Sequence, residues 1–173
     1  MRGVQKRRAV VAALTTDIRL KGRRLLIPAV AAIVIAVDQI TKTWALHHTA
    51  SPRHVLGPTN LVLTFNSGAA FSLGRGVTPI VEVIAVALVV WLVAISRRAT
   101  RSGSMAVVVG LGLLLGGSLG NLADRVFRHH HGAVIDFIQV VRWWPVFNVA
   151  DSAIVVGVVI IAWAYAARPS ENG

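Results

Sequence analysis

Four apolar stretches, each close to the roughly 20 residues a helix needs to cross a bilayer, constrain this chain more than any other feature. They run over 25–46, 77–96, 105–122 and 146–167. In hydrocarbon a backbone N–H or C=O finds no water, so each stretch is expected to be a helix. Composition agrees: the 173 residues are 55% hydrophobic and 14% charged, against about 25% charged in a soluble domain. The expectation is an all-α membrane protein of four transmembrane helices, folded as one domain. The first stretch has the basic flank of a signal peptide. It ends in Trp44-Ala45-Leu46-His47-His48 rather than in a small-residue cleavage site, and so is expected to be a retained anchor.

Charge orients the helices. Eight of the 18 Lys and Arg fall in the first 24 residues: Arg2, Lys6, Arg7, Arg8, Arg19, Lys21, Arg23 and Arg24. Arg97, Arg98 and Arg101 follow the second stretch, and Arg168 follows the fourth. By the positive-inside rule this side is cytoplasmic. Both termini are expected there, with loops 47–76 and 123–145 facing outward. The chain then divides into a basic cytoplasmic extension (1–24), one membrane domain (25–168) and a short cytoplasmic tail (169–173). A net charge of +11 would suggest nucleic acid in a soluble protein. Here it is concentrated in a leader suited to anionic lipid, with no aromatic-interleaved basic fold behind it. With no cysteine, disulfides, a thiolate nucleophile and Cys-based metal sites are excluded.

Against this background the carboxylates stand out. Of seven acidic residues, four (Asp38, Asp124, Asp136 and Asp151) lie inside or beside apolar segments, toward their outward ends. Ionisable groups at such depth are costly and mark functional sites by default. Asp136 and Asp151 flank Trp143-Trp144-Pro145, a sequence suited to a membrane interface and a helix start. Two carboxylates brought together cannot both ionise cheaply, so they share one proton. The ionised one can take a proton from water while the protonated one polarises a carbonyl, which is acyl hydrolysis without a covalent intermediate. On the alternative reading each is a helix cap, or half of an ion pair with Arg125. Asn66, Asn121 and Asn148 either orient the carboxylates and hold a peptide backbone, or cap and cross-link helices. Asp124-Arg125 reads as a structural pair or as a clamp on a polar lipid head. Asp38 reads as architectural, paired with Lys42 one turn on.

Other motifs are weaker. Asn60–Phe65 reads as a strand between Gly57-Pro58 and Asn66-Ser67-Gly68, so a small sheet on the membrane surface is expected. Gly112, Gly116 and Gly120, spaced by four, make a stripe that lets another helix approach closely. Gly116-Gly117-Ser118-Leu119-Gly120 matches the nucleophile-elbow pattern but lies in an apolar helix, not a strand–turn–helix. His129-His130-His131 are consecutive, so their side chains diverge, and no His-Glu-x-x-His accompanies them. No metal site is expected. A Ser–Lys dyad would need Lys42 with Ser67 or Ser72. Two non-peptidase readings remain: a proton-coupled carrier, which should place acids at several depths rather than at one face, and a scaffold subunit, which would tolerate Asp136→Asn.

Read together, five blocks resemble the signature of the lipoprotein signal peptidase (signal peptidase II) family. They are Val37-Asp38-Gln39-Ile40-Thr41-Lys42, Phe65-Asn66-Ser67-Gly68-Ala69-Ala70-Phe71-Ser72, Gly116 through Arg125, Val134-Ile135-Asp136-Phe137, and Phe147-Asn148-Val149-Ala150-Asp151-Ser152. They stand in the family's order over about 37–155. The resemblance implies a bacterial membrane aspartic endopeptidase of four helices with a small extracytoplasmic sheet, working without metal or organic cofactor. It removes the signal peptide just before a diacylglyceryl-modified cysteine. The resemblance makes Asp136 and Asp151 the catalytic pair. It gives Asn66, Gly68, Asn121, Arg125 and Asn148 places lining or supporting the site, and Asp38 and Asp124 supporting roles. Expected partners are lipidated prolipoproteins and membrane lipid, with the chain a monomer in the cytoplasmic membrane. The basic leader and the His129–His131 run fall outside the family pattern.

Overall fold

The computed structural model describes residues 2–49, 51–67, 83–84, 86–95, 104–128 and 130–167. In chain order these form α1 (Arg2–His48), β1 (Arg53–Leu56), β2 (Thr59–Asn66), a short apolar helix α2 (Val86–Ile95), α3 (Met105–Phe127), β3 (Val134–Gln139) and α4 (Val149–Ala166). Among the described residues, three helices are long and apolar enough to cross a membrane: Leu25–His48, Met105–Phe127 and Val149–Ala166. At 1.5 Å per residue each spans about 27–36 Å, the depth of a hydrocarbon core. Of the expected second span, 77–96, residues 83–84 and 86–95 are described. The continuous helix among them, Val86–Ile95, is too short to cross, so four spans are not reached among the described residues.

The leader was expected only as a basic extension. It is helical and continuous with the first span, making α1 a single 47-residue helix. Pro28 lies inside it, near the junction. Ser104 caps α3, its side chain accepting from Val107 N, and the helix runs to Phe127, beyond the expected end at Leu122.

α3 is the central helix and is more deeply buried than the apolar parts of α1 and α4. Val107, Val108, Leu111 and Leu115 of α3 form the core with Ile27 and Ala31 of α1, Leu92 of α2 and Ala164 of α4. Large apolar side chains on the outer faces, such as Ile33, Ile40, Val155, Val159 and Trp163, stay exposed, as lipid contact requires. Glycines set the spacing. A Cβ at Gly112 would meet Val30, one at Gly116 would meet Val34 and Ala31, and one at Gly120 would meet Asp38. Each step of four along α3 matches a step of four along α1, so the two helices run parallel. Gly110 faces Ile161 and Gly117 faces Ala150 and Ile154, so α4 runs antiparallel to α3. The C-terminal ends of α1 and α3 therefore meet the N-terminal end of α4.

The three strands form one antiparallel sheet of order β1-β2-β3. Asn60–Phe65, expected as a strand, lies within β2. β1 and β3 had not been anticipated as strands. Thr64 sits opposite Asp136, Phe65 opposite Ile135 and Asn66 opposite Val134. Phe147 extends the sheet by bonding to Ile138 in both directions, at 3.0 and 2.9 Å. This ties the start of α4 to β3.

Candidate active site

Asp136 stands in mid-β3 and is 1% exposed. Both its oxygens accept from amides: Asn148 Nδ2 to Oδ1 at 2.7 Å and Asn66 Nδ2 to Oδ2 at 3.0 Å. Burial pushes the carboxyl up to about 6. The Asn66 amide opposes this, the Asp151 charge adds to it, and the Asn148 amide and the Lys42 charge oppose it. Desolvation prevails because amides supply dipoles, whereas water had supplied full solvation.

Asp151 is held by a capping box. Asn148, in extended conformation at the N-cap of α4, accepts from Asp151 N at 2.9 Å through Oδ1, and Asp151 Oδ2 accepts from Asn148 N at 3.1 Å. Its other oxygen, Oδ1, accepts from Asn121 Nδ2 at 2.8 Å. One asparagine thus bonds both aspartates, to Asp136 by its side chain and to Asp151 by its backbone. The capping alternative raised from sequence is correct for Asn148 and Asp151. It does not compete with a chemical role, because the cap is what aims the carboxylate.

Beneath the pair lies a buried polar network. Lys42, 0% exposed, uses three donors on three oxygens: Asp38 Oδ2 at 2.8 Å, Asp124 Oδ2 at 2.8 Å and Asn121 Oδ1 at 2.9 Å. Asp38 Oδ1 accepts from Ala150 N at 3.0 Å, beside Asp151 in the chain. Asp124 Oδ2 accepts from Ile135 N at 3.1 Å, beside Asp136. Each supporting carboxylate therefore fixes the backbone next to one member of the pair. Arg128 Nε meets Asp124 Oδ1 at 3.1 Å, and Gln39 bridges Asp38, Asp124 and Arg128. Two cations and two carboxylates balance, which a dry interior demands.

The sequence reading of Asp38 with Lys42 holds. For Asp124 the expected partner, Arg125, gives way to Arg128: residues four apart share a helix face and adjacent ones do not. Arg125 Nη1 instead reaches Asn121 O at 3.3 Å. Gln39 and Arg128 were missed as parts of the network. The signal available was their place one residue after Asp38 and four after Asp124. Gly68 and Ser72 lie outside the described residues, as does His129. Ser118 is buried in mid-α3, so no elbow forms. Lys42 has its three donors committed to oxygens, which leaves none for a serine. Among the described residues no three His, Cys, Asp or Glu group as metal ligands.

A cleft of about 320 Å³ opens beside Asp136, lined by Thr64, Phe65, Asn66, Ser67, Pro145 and Val146. Its walls come from β2 and from the segment leading into α4. Asp136 thus borders the cleft, and Asp151 is tied to it through Asn148.

The sequence matches the family described as Signal peptidase (SPase) II over residues 30–167. It is 46% identical to the lipoprotein signal peptidase of Rhodococcus jostii (strain RHA1), over 80% of this chain and 71% of that one. It is 44% identical to that of Mycobacterium avium (strain 104), over 80% and 78%. The fold superposes on a bacterial membrane enzyme solved by the in meso method at 1.9 Å, with a TM-score of 0.69 and 28% identity, covering 86% of this chain and 95% of that one.

Proposed function

The chain belongs to the signal peptidase II family, and from that premise we propose that Asp136 and Asp151 are the two carboxylates with which it works. It is a membrane peptidase that removes signal peptides from prolipoproteins. The observation that carries the assignment is Asn148: Nδ2 on Asp136 Oδ1 at 2.7 Å and backbone N on Asp151 Oδ2 at 3.1 Å. A shared anchor keeps both carboxylates at one place while substrate enters and leaves.

In the proposed reaction the pair begins with one proton, on Asp136, whose carboxyl burial raises. The scissile carbonyl accepts a hydrogen bond from Asp136. Asp151 takes a proton from water as its oxygen adds to the carbonyl carbon. Collapse of the tetrahedral intermediate breaks the C–N bond, and the leaving amine takes a proton from the pair. One water is consumed and the pair is left with the single proton it began with.

Helix direction supports a reading of four crossings. α1 and α3 run parallel, so the chain between them has to recross the bilayer, and the apolar stretch 77–96 is the segment available. Charge asymmetry supports both termini in the cytoplasm and the aspartates at the outer face. A diacylglyceryl group stays in lipid beside the helices while the peptide bond sits at headgroup level, without metal or cofactor. We take the working unit to be one chain.

The test is cleavage by purified protein in lipid of one prolipoprotein, with and without its diacylglyceryl group, by wild type, Asp136→Asn and Asp151→Asn. Release from the lipidated form alone, lost in both variants that remain folded, supports the assignment. Retained cleavage in either folded variant defeats it.

A further inference from the structure

β2 carries one residue more than its partner strand requires. Leu61 pairs with Ile138 and Thr64 with Asp136, so β2 advances three positions while β3 advances two. Side chains alternate between the faces of a sheet, so Ile138 and Asp136 share a face. Regular pairing onward from Leu61 would set Leu63 opposite Asp136. The extra residue, a bulge, sets Thr64 there instead and brings Asn66, two positions on, to the same face. The Asn66 amide marks that face, because its Nδ2 reaches Asp136 Oδ2 at 3.0 Å.

Thr64 is half-buried and lines the cleft beside Asp136. Among the described residues its hydroxyl takes part in no hydrogen bond, whereas the amides of Asn66, Asn121 and Asn148 each donate to one of the two aspartates. The strand makes no use of that hydroxyl. Its neighbours Leu61, Val62 and Leu63 are apolar, and valine has the same branched shape and also favours strands. Residues directly opposite in an antiparallel pair hold their Cβ atoms about 5 Å apart. Two donors at that separation can both reach one oxygen lying about 2.8 Å from each, in the cleft between them. The scissile carbonyl oxygen accepts from Asp136 in the proposed reaction, and as it gains negative charge it has room for a second donor.

We propose that Thr64 is a further catalytic residue: its hydroxyl donates to the scissile carbonyl oxygen from the β2 side of the cleft, across from Asp136, and stabilises the negative charge of the tetrahedral intermediate. This rests on the assignment of Asp136 to catalysis. The hydroxyl keeps its proton throughout. The proton of the attacking water still passes to Asp151, and the pair still ends with the single proton it began with. Thr64 lends a hydrogen bond and takes no part in proton transfer.

The experiment uses one lipidated prolipoprotein and purified protein in lipid. Wild type, Thr64→Val, Thr64→Ala and Thr64→Ser are assayed for kcat, KM and Tm. Thr64→Val should lower kcat by about 100-fold, the effect of removing one donor to a developing oxyanion. KM should change little, because the bond strengthens only in the transition state. Tm should match or exceed that of wild type, since the change removes a half-buried hydroxyl without a partner. Thr64→Ala lacks the same hydroxyl and should show the same loss of kcat. Thr64→Ser keeps the hydroxyl and should stay close to wild type. Wild-type kcat in folded Thr64→Val or Thr64→Ala, a loss confined to KM, or a loss in Thr64→Ser as large as in Thr64→Val would each overturn the proposal and leave the role of Asp136 standing. Cleavage by folded Asp136→Asn would bring down the catalytic assignment and this proposal with it.

Discussion

Lys42 Nζ lies 2.9 Å from Asn121 Oδ1, and the same asparagine donates to Asp151 Oδ1 at 2.8 Å. The amide stands between a buried cation and a site carboxylate, with its orientation fixed by the lysine. A charge on α1 therefore orients a side chain on α3 that positions another on α4.

Removal of Lys42 leaves Asp38 and Asp124 buried without their shared cation. Breaking such a network from one side costs about 3–5 kcal/mol. Lys42→Met should lower the yield of folded protein and Tm sharply. Adding Asp38→Asn should recover part of the loss, because it removes one uncompensated charge. Thermal melts in detergent of the two single variants and the double variant check this. Additive losses would contradict a shared network.

Asp136 gives a pH signature. Its folded carboxyl sits near 6, above the ordinary 3.8, so the folded state binds the proton more tightly than the unfolded chain. Its contribution to stability is fully present below about 3.8 and is lost as pH rises through 6. The total is at most about 3 kcal/mol. Asp136→Asn should remove this part of the Tm–pH curve, so that the variant gains on wild type between pH 4 and 7. If the proton on Asp136 is the catalytic one, kcat/KM of wild type should also decline as pH rises through about 6. A wild-type Tm–pH curve indistinguishable from that of Asp136→Asn would refute the raised carboxyl.

Asn148 combines a cap with a bridge. Loss of an N-cap side chain costs about 1 kcal/mol, a modest drop in Tm. Activity should fall far more, by roughly 100-fold or greater, because Asp136 loses its 2.7 Å donor and Asp151 the cap that aims it. Asn148→Ala assayed for both quantities separates the roles. A loss of activity no larger than the loss of stability explains would leave only the cap.

Gly117 measures the tightness of α3 against α4. A Cβ there would collide with the backbone carbonyl of Ala150 and press on Ile154. A carbonyl in a helix cannot swing aside, so the helices must part, at a cost of about 1–3 kcal/mol. Parting shifts Ala150, and with it the adjacent Asp151. Gly117→Ala should lower both Tm and kcat. Gly22→Ala, inside α1 with nothing within 4 Å, is the control: it should leave kcat unchanged and should not lower Tm, since Ala is the better helix former.

Much of the site was legible in the chain because its chemistry is expensive. A carboxylate beside an apolar segment has few bland explanations, so Asp38, Asp124, Asp136 and Asp151 identified themselves, and Lys42 one turn from Asp38 followed from helical spacing. The apolar runs fixed the helices, since lipid permits little else. The choice of Arg128 over Arg125 was also available from spacing, although proximity in the chain pointed to the nearer residue. β3 was harder. Val134–Gln139 is short and mostly apolar around Asp136, and its partner strand lies some 70 positions earlier.

The sequence by itself determined the solvent, the helical periods and the identity of the costly groups, because those depend on local composition and on what hydrocarbon excludes. Only the tertiary structure decided which groups meet. Asn148 touching both aspartates, Lys42 uniting Asp38, Asp124 and Asn121, and Thr64 standing opposite Asp136 each join positions far apart in the chain. Their distances are set by how closely glycines let α1, α3 and α4 approach, and by the register of β2 on β3. Those are packing outcomes, and a pattern read along one chain carries no information on distances across it.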